Sequence, residues 1–450
     1  MTLFAPEDPR PIHFMGIAGA GMSALALIAR HRGVAITGCD TDPSGAADLA
    51  ALGVQIWRGH DPAHVAGTRA VVVTAAVPRD HAELERARAL GIPVVRRADA
   101  LGQAVTDGGK AGGAIVAVAG THGKTTTTVM VTEALAAAGR DPTGLVGGRV
   151  ARWGGNARIG ARHLYVVEAD HLECYGSLDA LEAAFVQFAG GARRVIVGAD
   201  DAGASRVARQ LRNPVWRVGT GADADVRIAD TTFTPAGSQA SVRLPGGAVA
   251  AVRLRVPGMH NVRNAAAAVA VVHELGADLD RATRALSEFT GVARRFERLG
   301  EAAGVTVVDD YAHHPTEVGA TLSAARQAFP GRRLVAVFQP HLYSRTAQHG
   351  EALGRALAGA DVAVIAPIYG AREQPLPGVT ADLVTRGAQH AGAKTVAVAE
   401  RDALTDRVAE VVQPGDVVFT LGAGDVTRVG PQLLERLGAG QTGRRGTHGR

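Results

Sequence analysis

The chain has 450 residues, of which 46% are hydrophobic and 20% charged, and its formal net charge is +5. This balance is typical of a soluble globular protein with two or three domains. No apolar stretch is long enough to span a membrane, and the first residues lack the pattern of a signal peptide. Aromatic residues make up only 4% of the chain and no basic stripe is interleaved with them, which disfavours nucleic-acid binding.

Cysteine and lysine are both scarce. The two cysteines, Cys39 and Cys174, are too few for a disulfide framework or a zinc site, so a reducing, cytoplasmic location is expected. Lysine occurs only at positions 110, 124 and 394. Because Lys124 is retained inside a glycine-rich loop while arginine replaces lysine almost everywhere else, we expect Lys124 to have a functional role.

Three α/β patterns follow one another along the chain. In the first, strand-like runs alternate with Ala/Leu-rich helical runs, which predicts a parallel, doubly wound sheet. A glycine-rich linker is expected at 105–113. The second pattern ends in a long helix over 261–276, and the third begins near Gly291. We predict an α/β fold with three domains, namely a Rossmann-like domain (1–107), a central domain with a parallel sheet (114–290) and a second Rossmann-like domain (291–437), followed by a disordered tail (438–450).

The first glycine-rich loop lies between a strand and a helix in HFMGIAGAGMSALAL, with glycines at 16, 19 and 21. Backbone N–H groups at such a helix start bind phosphate or diphosphate. As a dinucleotide fingerprint the loop is imperfect, because Ala18 stands at the middle glycine position. Asp40 ends the next strand, where a ribose-binding acid is expected. On this loop alone, NAD(P), another nucleotide diphosphate and a turn without a ligand all stay open.

A second loop, GTHGKTTTT at 120–128, also follows a strand and opens a helix. Its lysine supplies a charge for the β- and γ-phosphates, and the next hydroxyl can ligate Mg²⁺. A strict P-loop has glycine where Val118 stands, so this loop is a shortened variant. The context predicts ATP binding by Gly120, Thr121, His122, Gly123, Lys124, Thr125 and Thr126.

Many separate stretches resemble the motifs of the Mur ligases over about residues 10–435. They are GIAGAGMSALA, GTHGKTTTT, PGMHNVRNAAAA, GVARRFERLG, DDYAHHPTEV, FQPHLYSRT, IYGAREQP and GDVVFTLGAGD. DDYAHHPTEV and FQPHLYSRT are most similar to the alanine-adding members, the UDP-N-acetylmuramate–L-alanine ligases of peptidoglycan synthesis. The resemblance implies three domains, and a reaction in which ATP phosphorylates the lactyl carboxylate of UDP-N-acetylmuramate. The amine of L-alanine then attacks the acyl phosphate, and ADP and phosphate are released.

The resemblance also implies ligands for the two nucleotides. The UDP-sugar is expected at Gly19, Ala20, Gly21, Met22, Asp40 and Thr74. Besides the second glycine-rich loop, ATP is expected at Asn261, Asn264, Arg295 and Asp310, with His260 nearby. Asn261 as a simple helix cap and the pair Arg294 and Arg295 as solvated surface charges are the plainer interpretations.

Catalysis and amino-acid binding are assigned by the same resemblance. Lys124, His313 and Arg345 are the expected catalytic residues, and Tyr311, His313 and Arg345 are expected around the alanine. Arg345 is the natural partner for its carboxylate. Many family members carry a further arginine where Leu342 stands here, so this clamp has fewer charges. His314 and His341 are weaker candidates.

One stretch departs from the Mur pattern. The family has two acidic motifs in the central domain, and here LYVVEAD runs straight into HLECYGS, which indicates a loss of roughly twenty residues including one core strand. The expected magnesium ligands are Thr125, Glu168 and His171. Glu168 and His171 are only three residues apart, so they cannot both occupy the family positions unless the backbone rearranges.

Three other hypotheses stay open from the sequence. The related ligase that attaches a recycled tripeptide is disfavoured by QPHLYSRT. An NAD(P) oxidoreductase built on the first loop leaves GTHGKTTTT unexplained. A non-catalytic family member that binds nucleotide but has lost turnover is the third.

Overall fold

The computed structural model describes residues 3–74, 77–109, 114–161, 163–169, 177–234, 237–371, 373–398 and 400–445. The chain forms two compact units. The first unit is made of residues 1–229, 241–252 and 263–287, and the second of residues 230–240, 253–262 and 288–450. The first unit holds the predicted first domain together with most of the predicted second, so the exact domain boundaries stay predictions.

The described part of the N-terminal segment contains five strands and four α-helices. They are β1 (Ile12–Met15), α1 (Ala20–His31), β2 (Ile36–Asp40), α2 (Ala47–Ala51), β3 (Gln55–Arg58), β4 (Ala70–Val73), α3 (Ala82–Ala89), β5 (Val94–Arg96) and α4 (Arg97–Gly109). The strands form a parallel sheet in the order β3-β2-β1-β4-β5. This is the doubly wound arrangement that the alternating sequence pattern predicts.

The central segment contains nine strands and five helices among the described residues. They are β6 (Ala114–Val118), α5 (Lys124–Ala137), β7 (Thr143–Val150), β8 (Gly155–Arg158), β9 (Leu164–Glu168), α6 (Leu178–Ala189), β10 (Val195–Gly198), α7 (Ala202–Gln210), β11 (Val215–Gly219), β12 (Val226–Thr234), β13 (Gly237–Arg243), β14 (Val249–Leu254), α8 (Met259–Glu274) and α9 (Leu279–Ser287). The strands form two sheets, in the orders β6-β9-β7-β8 and β10-β11-β12-β13-β14.

Helix α1 is apolar on nearly all sides because it packs both in the N-terminal core and against β7 and β8. Buried polar groups join the same elements. Asn156 in β8 donates from Nδ2 to the Ser23 hydroxyl of α1 at 2.9 Å. At the other end of α1, the buried Arg32 guanidinium donates to the Tyr165 hydroxyl at 2.7 Å. The N-terminal sheet and the β6–β9 sheet therefore share one core within the first unit.

The break between the two central sheets coincides with the shortened stretch of the sequence. Strand β6 pairs with β9, and β10 pairs with β11, but neither has a second strand partner within the described part of the chain. Strand β6 accordingly has half-exposed side chains, although it leads into the second glycine-rich loop. Within the described residues, no strand therefore joins β6 and β10 into one sheet.

The C-terminal segment forms one six-stranded sheet in the second unit. Its elements are β15 (Glu297–Ala302), β16 (Val305–Asp310), α10 (Pro315–Ala328), β17 (Leu334–Phe338), α11 (Tyr343–Leu357), β18 (Val362–Ile365), α12 (Asp382–His390), β19 (Lys394–Ala397), α13 (Leu404–Val411), β20 (Val417–Leu421) and α14 (Val429–Arg445). The order is β15-β16-β20-β17-β18-β19, and only β15 is antiparallel to its neighbour. Alternate residues of the central strands enter two separate cores, one on each face of the sheet.

Parts of two segments that were predicted to be irregular are helical, and their remaining residues, 110–113 and 446–450, lie outside the described residues. The predicted linker at 105–113 is helical as far as Gly109, because α4 continues from the buried Ala100 and Ala104. The predicted disordered tail is helical over 438–445, because α14 begins with the buried Val429 and Leu433 and extends to Arg445. No helix among the described residues is both long enough and apolar enough to cross a membrane.

The open edge of β6 yields a test. The Ile115 side chain is 43% exposed on this strand, and apolar edge strands pair with other chains. We expect Ile115→Lys to delay heat-induced aggregation, followed by light scattering, because a lysine on an edge blocks such pairing. Leu90→Lys is the matched control, since Leu90 is also 43% exposed but lies after a helix. An equal delay in both variants would attribute the effect to net charge instead.

Candidate active site

The first glycine-rich loop is held by the end of β2. Gly16 has a φ of +74°, which favours glycine, and its N–H donates to the Cys39 carbonyl at 2.8 Å. One oxygen of Asp40 accepts from Ala18 N at 3.0 Å and the other from Asp42 N at 3.1 Å. Asp40, which was predicted to bind the UDP-sugar, thus supports the loop through hydrogen bonds to its backbone.

A cavity of about 270 Å³ opens beside this loop. Five of the six residues predicted for the UDP-sugar line it, and so do Arg97, Leu145, Val146, Gly147 and the predicted metal ligand Glu168. The five are Gly19, Ala20, Gly21, Met22 and Thr74. The cavity lies within the first unit and brings a predicted diphosphate loop together with a predicted metal ligand.

Arg97 was missed in the sequence because no motif marks it. It begins α4, and a Cβ atom at Gly21 would lie 2.6 Å from its Nη1 atom. Burial lowers the pKa of Arg97 from its usual value, while the charge of Glu168 raises it. The guanidinium is therefore a cation directed into the cavity, where an anionic ligand would be stabilised.

The second glycine-rich loop leads from β6 into α5. Lys124 is only 6% exposed and donates from Nζ to the Gly120 carbonyl at 2.9 Å. Gly123 has a φ of +75°, and a Cβ atom there would lie 3.0 Å from Oδ1 of Asn264. The structure thus brings Asn264 to the loop, as predicted for one ATP site. Of the other loop residues, Thr126 is buried while Thr121 and His122 lie nearer the surface.

Thr125 and Glu168 form the candidate metal site. The Thr125 hydroxyl lies 3.0 Å from both Glu168 oxygens, one of which also accepts from Gly147 N at 2.8 Å. Mg²⁺ binds oxygens at about 2.0–2.1 Å in octahedral geometry, so neighbouring ligands are about 2.9 Å apart. The two side chains therefore fit Mg²⁺. His171, the third predicted ligand, lies outside the described residues.

Two acids of the C-terminal sheet hold loops in place. Asp310 is buried, and its oxygens accept from Phe296 N and Ala312 N, each at 2.8 Å. Burial raises the pKa of Asp310 to about 6. Asp309 accepts from the hydroxyls of Thr420 and Thr427 at 2.5 and 2.7 Å. Both carboxylates are thus engaged with the protein, although Asp310 was predicted to contact ATP.

The two neighbouring arginines differ in their surroundings. Arg294 donates to Asp309 at 3.2 Å and to the Gly422 carbonyl at 2.7 Å, so it is built into the fold. Arg295 lies 3.9 Å from Glu317 and stacks over the Tyr311 ring at 5.2 Å. The pair is therefore not a solvated surface feature, and Arg295 is a half-buried cation beside Tyr311.

The residues predicted around the alanine lie together in the second unit. The rings of Tyr311 and His313 are 5.2 Å apart, and the rings of His313 and His341 are 6.3 Å apart. Arg345 contacts Nδ1 of His341 at 3.2 Å. His341, a weaker candidate in the sequence, is thus part of this cluster. His314 instead caps α10 in a capping box.

His313 has a defined protonation state. Its Nδ1 atom lies 2.8 Å from the Tyr311 carbonyl, which can only accept, so the ring proton is on Nδ1. Burial lowers the pKa of His313, although the neighbouring Glu317 opposes this. The imidazole is therefore neutral near pH 7, and its Nε2 lone pair can accept a proton.

Arg345 lies in the first turn of α11, where a helix favours anions. Leu342, just before this helix, has a φ of +70°, which is strained for a leucine and is typical of functional sites. A carboxylate at this position would meet both the guanidinium and the helix start. This geometry suits the carboxylate of a free amino acid.

Asn261 does not cap a helix. It lies in the first turn of α8, which begins at Met259, and donates from Nδ2 to the Pro257 carbonyl at 2.7 Å. His260 lies beside it, next to Gly258. The plainer interpretation of Asn261 as a cap is therefore wrong, and its role toward ATP stays a prediction.

Comparison with known proteins defines the family of this chain. Three Mur ligase descriptions match in chain order: the catalytic domain of the Mur ligase family over 11–107, the Mur ligase middle domain over 163–272 and the glutamate ligase domain over 294–424. The chain is 41% identical to the UDP-N-acetylmuramate–L-alanine ligase of Thermobifida fusca, covering 97% of this chain and all of that one. It is 44% identical to that of Kineococcus radiotolerans, covering 95% and 96%.

A solved structure is similar over nearly the whole chain. UDP-N-acetylmuramate-alanine ligase MurC from Thermotoga maritima has a TM-score of 0.79 and 28% identity, covering 96% of this chain and 99% of that one. The chain therefore belongs to the Mur ligase family. Within that family it groups with the UDP-N-acetylmuramate–L-alanine ligases, whose curated members match it at 40–44% identity.

The alignment with the Thermobifida relative also bears on the shortened stretch. It spans 479 positions, more than the 450 residues of this chain, so that relative contains residues that are missing here. This is consistent with a deletion. The family match leaves no support for an oxidoreductase built on the first loop.

The raised pKa of Asp310 predicts a pH effect on stability. Because the folded state favours the protonated acid, its contribution is complete below about pH 3.8 and is lost as the pH rises through about 6. In Asp310→Asn, the loss of unfolding free energy relative to the unchanged chain should be smaller at pH 7.5 than at pH 4.5, by about 2 kcal/mol. Urea unfolding followed by circular dichroism measures this difference.

The control for this experiment is Asp402→Asn, since Asp402 is exposed. We expect it to change stability by less than about 0.5 kcal/mol at both pH values. The same loss for Asp310→Asn at both pH values would contradict the prediction.

Proposed function

We propose that this chain catalyses the ATP-dependent ligation of L-alanine to the lactyl carboxylate of UDP-N-acetylmuramate, in the cytoplasm, as a step of peptidoglycan synthesis. The products are UDP-N-acetylmuramoyl-L-alanine, ADP and phosphate. The observation that carries the proposal is the cavity that joins the first glycine-rich loop to Glu168. A ligase that phosphorylates a nucleotide-linked acid needs a diphosphate site beside a metal-binding carboxylate, and this cavity supports both.

The UDP-sugar occupies the cavity in this proposal. The helix start at Gly19–Met22 binds the diphosphate through backbone N–H groups, and Thr74 also lines the cavity. Arg97 neutralises part of the negative charge. Asp40 acts by fixing the loop, because its oxygens accept from Ala18 N and Asp42 N.

ATP is bound at residues 120–126, with Asn264 beside them. Lys124 contacts the transferring phosphate, and its charge offsets the repulsion between that phosphate and the sugar carboxylate. Thr125 and Glu168 hold Mg²⁺, which supplies further charge neutralisation when bound. Asn261, Arg295 and Asp310 are assigned to ATP by family resemblance.

The second half-reaction uses the cluster around His313. Arg345 binds the alanine carboxylate, and Tyr311 forms a wall of the site. The amine lone pair attacks the acyl carbon, the bond from that carbon to the phosphate oxygen breaks, and phosphate leaves. The neutral His313 takes the proton released by the amine on Nε2. Its lowered pKa supports this role because it keeps the imidazole unprotonated.

The open edge of β6 favours one alternative. The strand that leads into the ATP loop has a single strand partner among the described residues, so the loop is less firmly supported than in an unbroken sheet. A family member that binds nucleotide without turnover is the second candidate function. A tripeptide-adding ligase is less well supported. A murein peptide ligase mpl from Psychrobacter arcticus has 26% identity and a TM-score of 0.71, both below the 28% and 0.79 of the Thermotoga maritima MurC structure.

Phosphate release from purified protein tests the proposal. With ATP, Mg²⁺, UDP-N-acetylmuramate and L-alanine all present, we expect release that stops when any one of them is omitted. Replacing alanine with the tripeptide tests the recycling activity. If ATP and UDP-N-acetylmuramate bind without phosphate release, the non-catalytic alternative holds.

Arg345→Gln tests alanine binding. Loss of a charge-assisted hydrogen bond should raise the KM for L-alanine by roughly 10- to 100-fold, while the KM for ATP changes little. Arg355→Gln is the matched control, because Arg355 lies on the same helix with a side chain that is 60% exposed and pairs only with Glu351 among the ion pairs found. Equal effects on both KM values would exclude a specific contact with alanine.

A further inference from the structure

A second group of metal-binding side chains lies on one face of the N-terminal sheet. His13 in β1 and Cys39 in β2 face Glu83, which is at the start of α3. His60 and His64 follow β3 and complete the group. None of these five residues lines the cavity described above. His13, Cys39 and Glu83 have no measurable solvent exposure.

Four of these residues converge on one point. Donor atoms of His13, Cys39, His64 and Glu83 all lie within 4.8 Å of one another. Nε2 of His13 is 3.3 Å from Sγ of Cys39, and that sulfur is 3.4 Å from Oε2 of Glu83. In tetrahedral zinc sites, bonds of about 2.0–2.3 Å place neighbouring ligand atoms about 3.3–3.6 Å apart. These two separations are those of neighbouring ligands in a zinc coordination shell, while Nδ1 of His64 lies 2.9 Å from Oε1 of Glu83.

Neighbouring groups fix these ligands as they do around bound metals. Nδ1 of His13 contacts the Thr37 hydroxyl at 3.1 Å, which leaves Nε2 directed at the cluster. The ring of Trp57 stacks on His64 with a centroid separation of 4.4 Å. Oε1 of Glu83 accepts from Asp61 N at 2.9 Å and lies 2.9 Å from Nδ1 of His64, while Oε2 lies 3.4 Å from the sulfur. Such outer contacts set the tautomer and orientation of metal ligands.

Hydrogen bonding alone accounts poorly for the sulfur of Cys39. It contacts Nε2 of His13, Nδ1 of His60 at 3.2 Å and both oxygens of Glu83. A thiol has one proton and is a weak acceptor, so the sulfur cannot form good hydrogen bonds with all four. The Glu83 oxygens also have Asp61 N and Nδ1 of His60 and of His64 as partners. Lone pairs of sulfur, nitrogen and oxygen thus meet where a cation would satisfy them.

We propose that His13, Cys39, His64 and Glu83 form a site for Zn²⁺. Mixed sulfur, nitrogen and oxygen ligands suit zinc and exclude Mg²⁺, which prefers oxygen alone. The exclusion of a zinc site from the sequence counted cysteines only, whereas histidine and carboxylate supply three of the four ligands here. Because the side chains of His60 and His64 are 26% and 12% exposed, metal has a path from solvent.

The site has a structural consequence for the first glycine-rich loop. The Cys39 carbonyl accepts from both Gly16 N and Ile17 N, at 2.8 and 3.1 Å. A metal bound to the Cys39 sulfur would fix the position of Cys39, whose carbonyl accepts these two hydrogen bonds from the loop. Zinc therefore stabilises the N-terminal domain in this proposal, and it does not take part in the ligation.

Metal binding to the full chain tests the proposal, with Cys174→Ser as the starting protein so that Cys39 is its only thiol. After dialysis against a chelator, zinc is added in the presence of excess Mg²⁺ and bound metal is measured by mass spectrometry. We expect one tightly bound zinc per chain and a rise in the thermal unfolding temperature. Adding Cys39→Ser, which keeps a hydrogen-bonding group of similar size, should weaken zinc binding by about 100-fold or more.

Cobalt substitution gives a second measurement that needs no variant at Cys39. A thiolate-to-cobalt charge-transfer band together with intense visible bands is expected for a tetrahedral site containing sulfur. Zinc bound equally well by the Cys39→Ser protein, or a cobalt complex without the thiolate band, would overturn the proposal. Glu168→Gln should leave the zinc stoichiometry unchanged, because Glu168 belongs to the other site. A drop to zero in that variant would also overturn it.

Discussion

The carboxylate of Glu168 connects several elements of the first unit through hydrogen bonds. It accepts from the Thr125 hydroxyl and from Gly147 N, and it lies in the cavity bounded by the first glycine-rich loop. A helix, a strand and a neighbouring domain are thereby oriented around one negative charge. Glu168 is half-buried and the charge of Arg97 lies close enough to interact with it, so the cavity brings a negative and a positive group together beside the first glycine-rich loop.

Glu168 lies next to the second glycine-rich loop, although the sequence after it is short relative to the Mur pattern. Strand β9 still pairs with β6 and with β7, and its last residue keeps contact with α5. What is absent from the described residues is a partner on the other side of β6. The contact between Glu168 and α5 is therefore present even though β6 has a single strand partner among the described residues.

Much of the fold could be predicted because strand, glycine turn and helix leave strong local patterns. Both glycine-rich loops and the parallel sheets were predicted in this way. Arg97 and Gly147 could not be found, since only tertiary packing brings them to the cavity. Asp310 was predicted as a ligand because it ends a strand, yet its oxygens bind backbone N–H groups. The tail was predicted to be disordered from its composition, but its residues 438–445 continue a helix that begins in the core.

The gap between the two central sheets has a consequence for how the protein opens. In a continuous sheet, backbone hydrogen bonds on one strand protect those on the next, and the region unfolds as a single cooperative unit. Among the described residues β6 and β10 each end a ladder, so we expect the β6–β9 and β10–β14 sheets to exchange their amide hydrogens independently. The second glycine-rich loop follows β6, and we expect it to open together with the β6–β9 sheet.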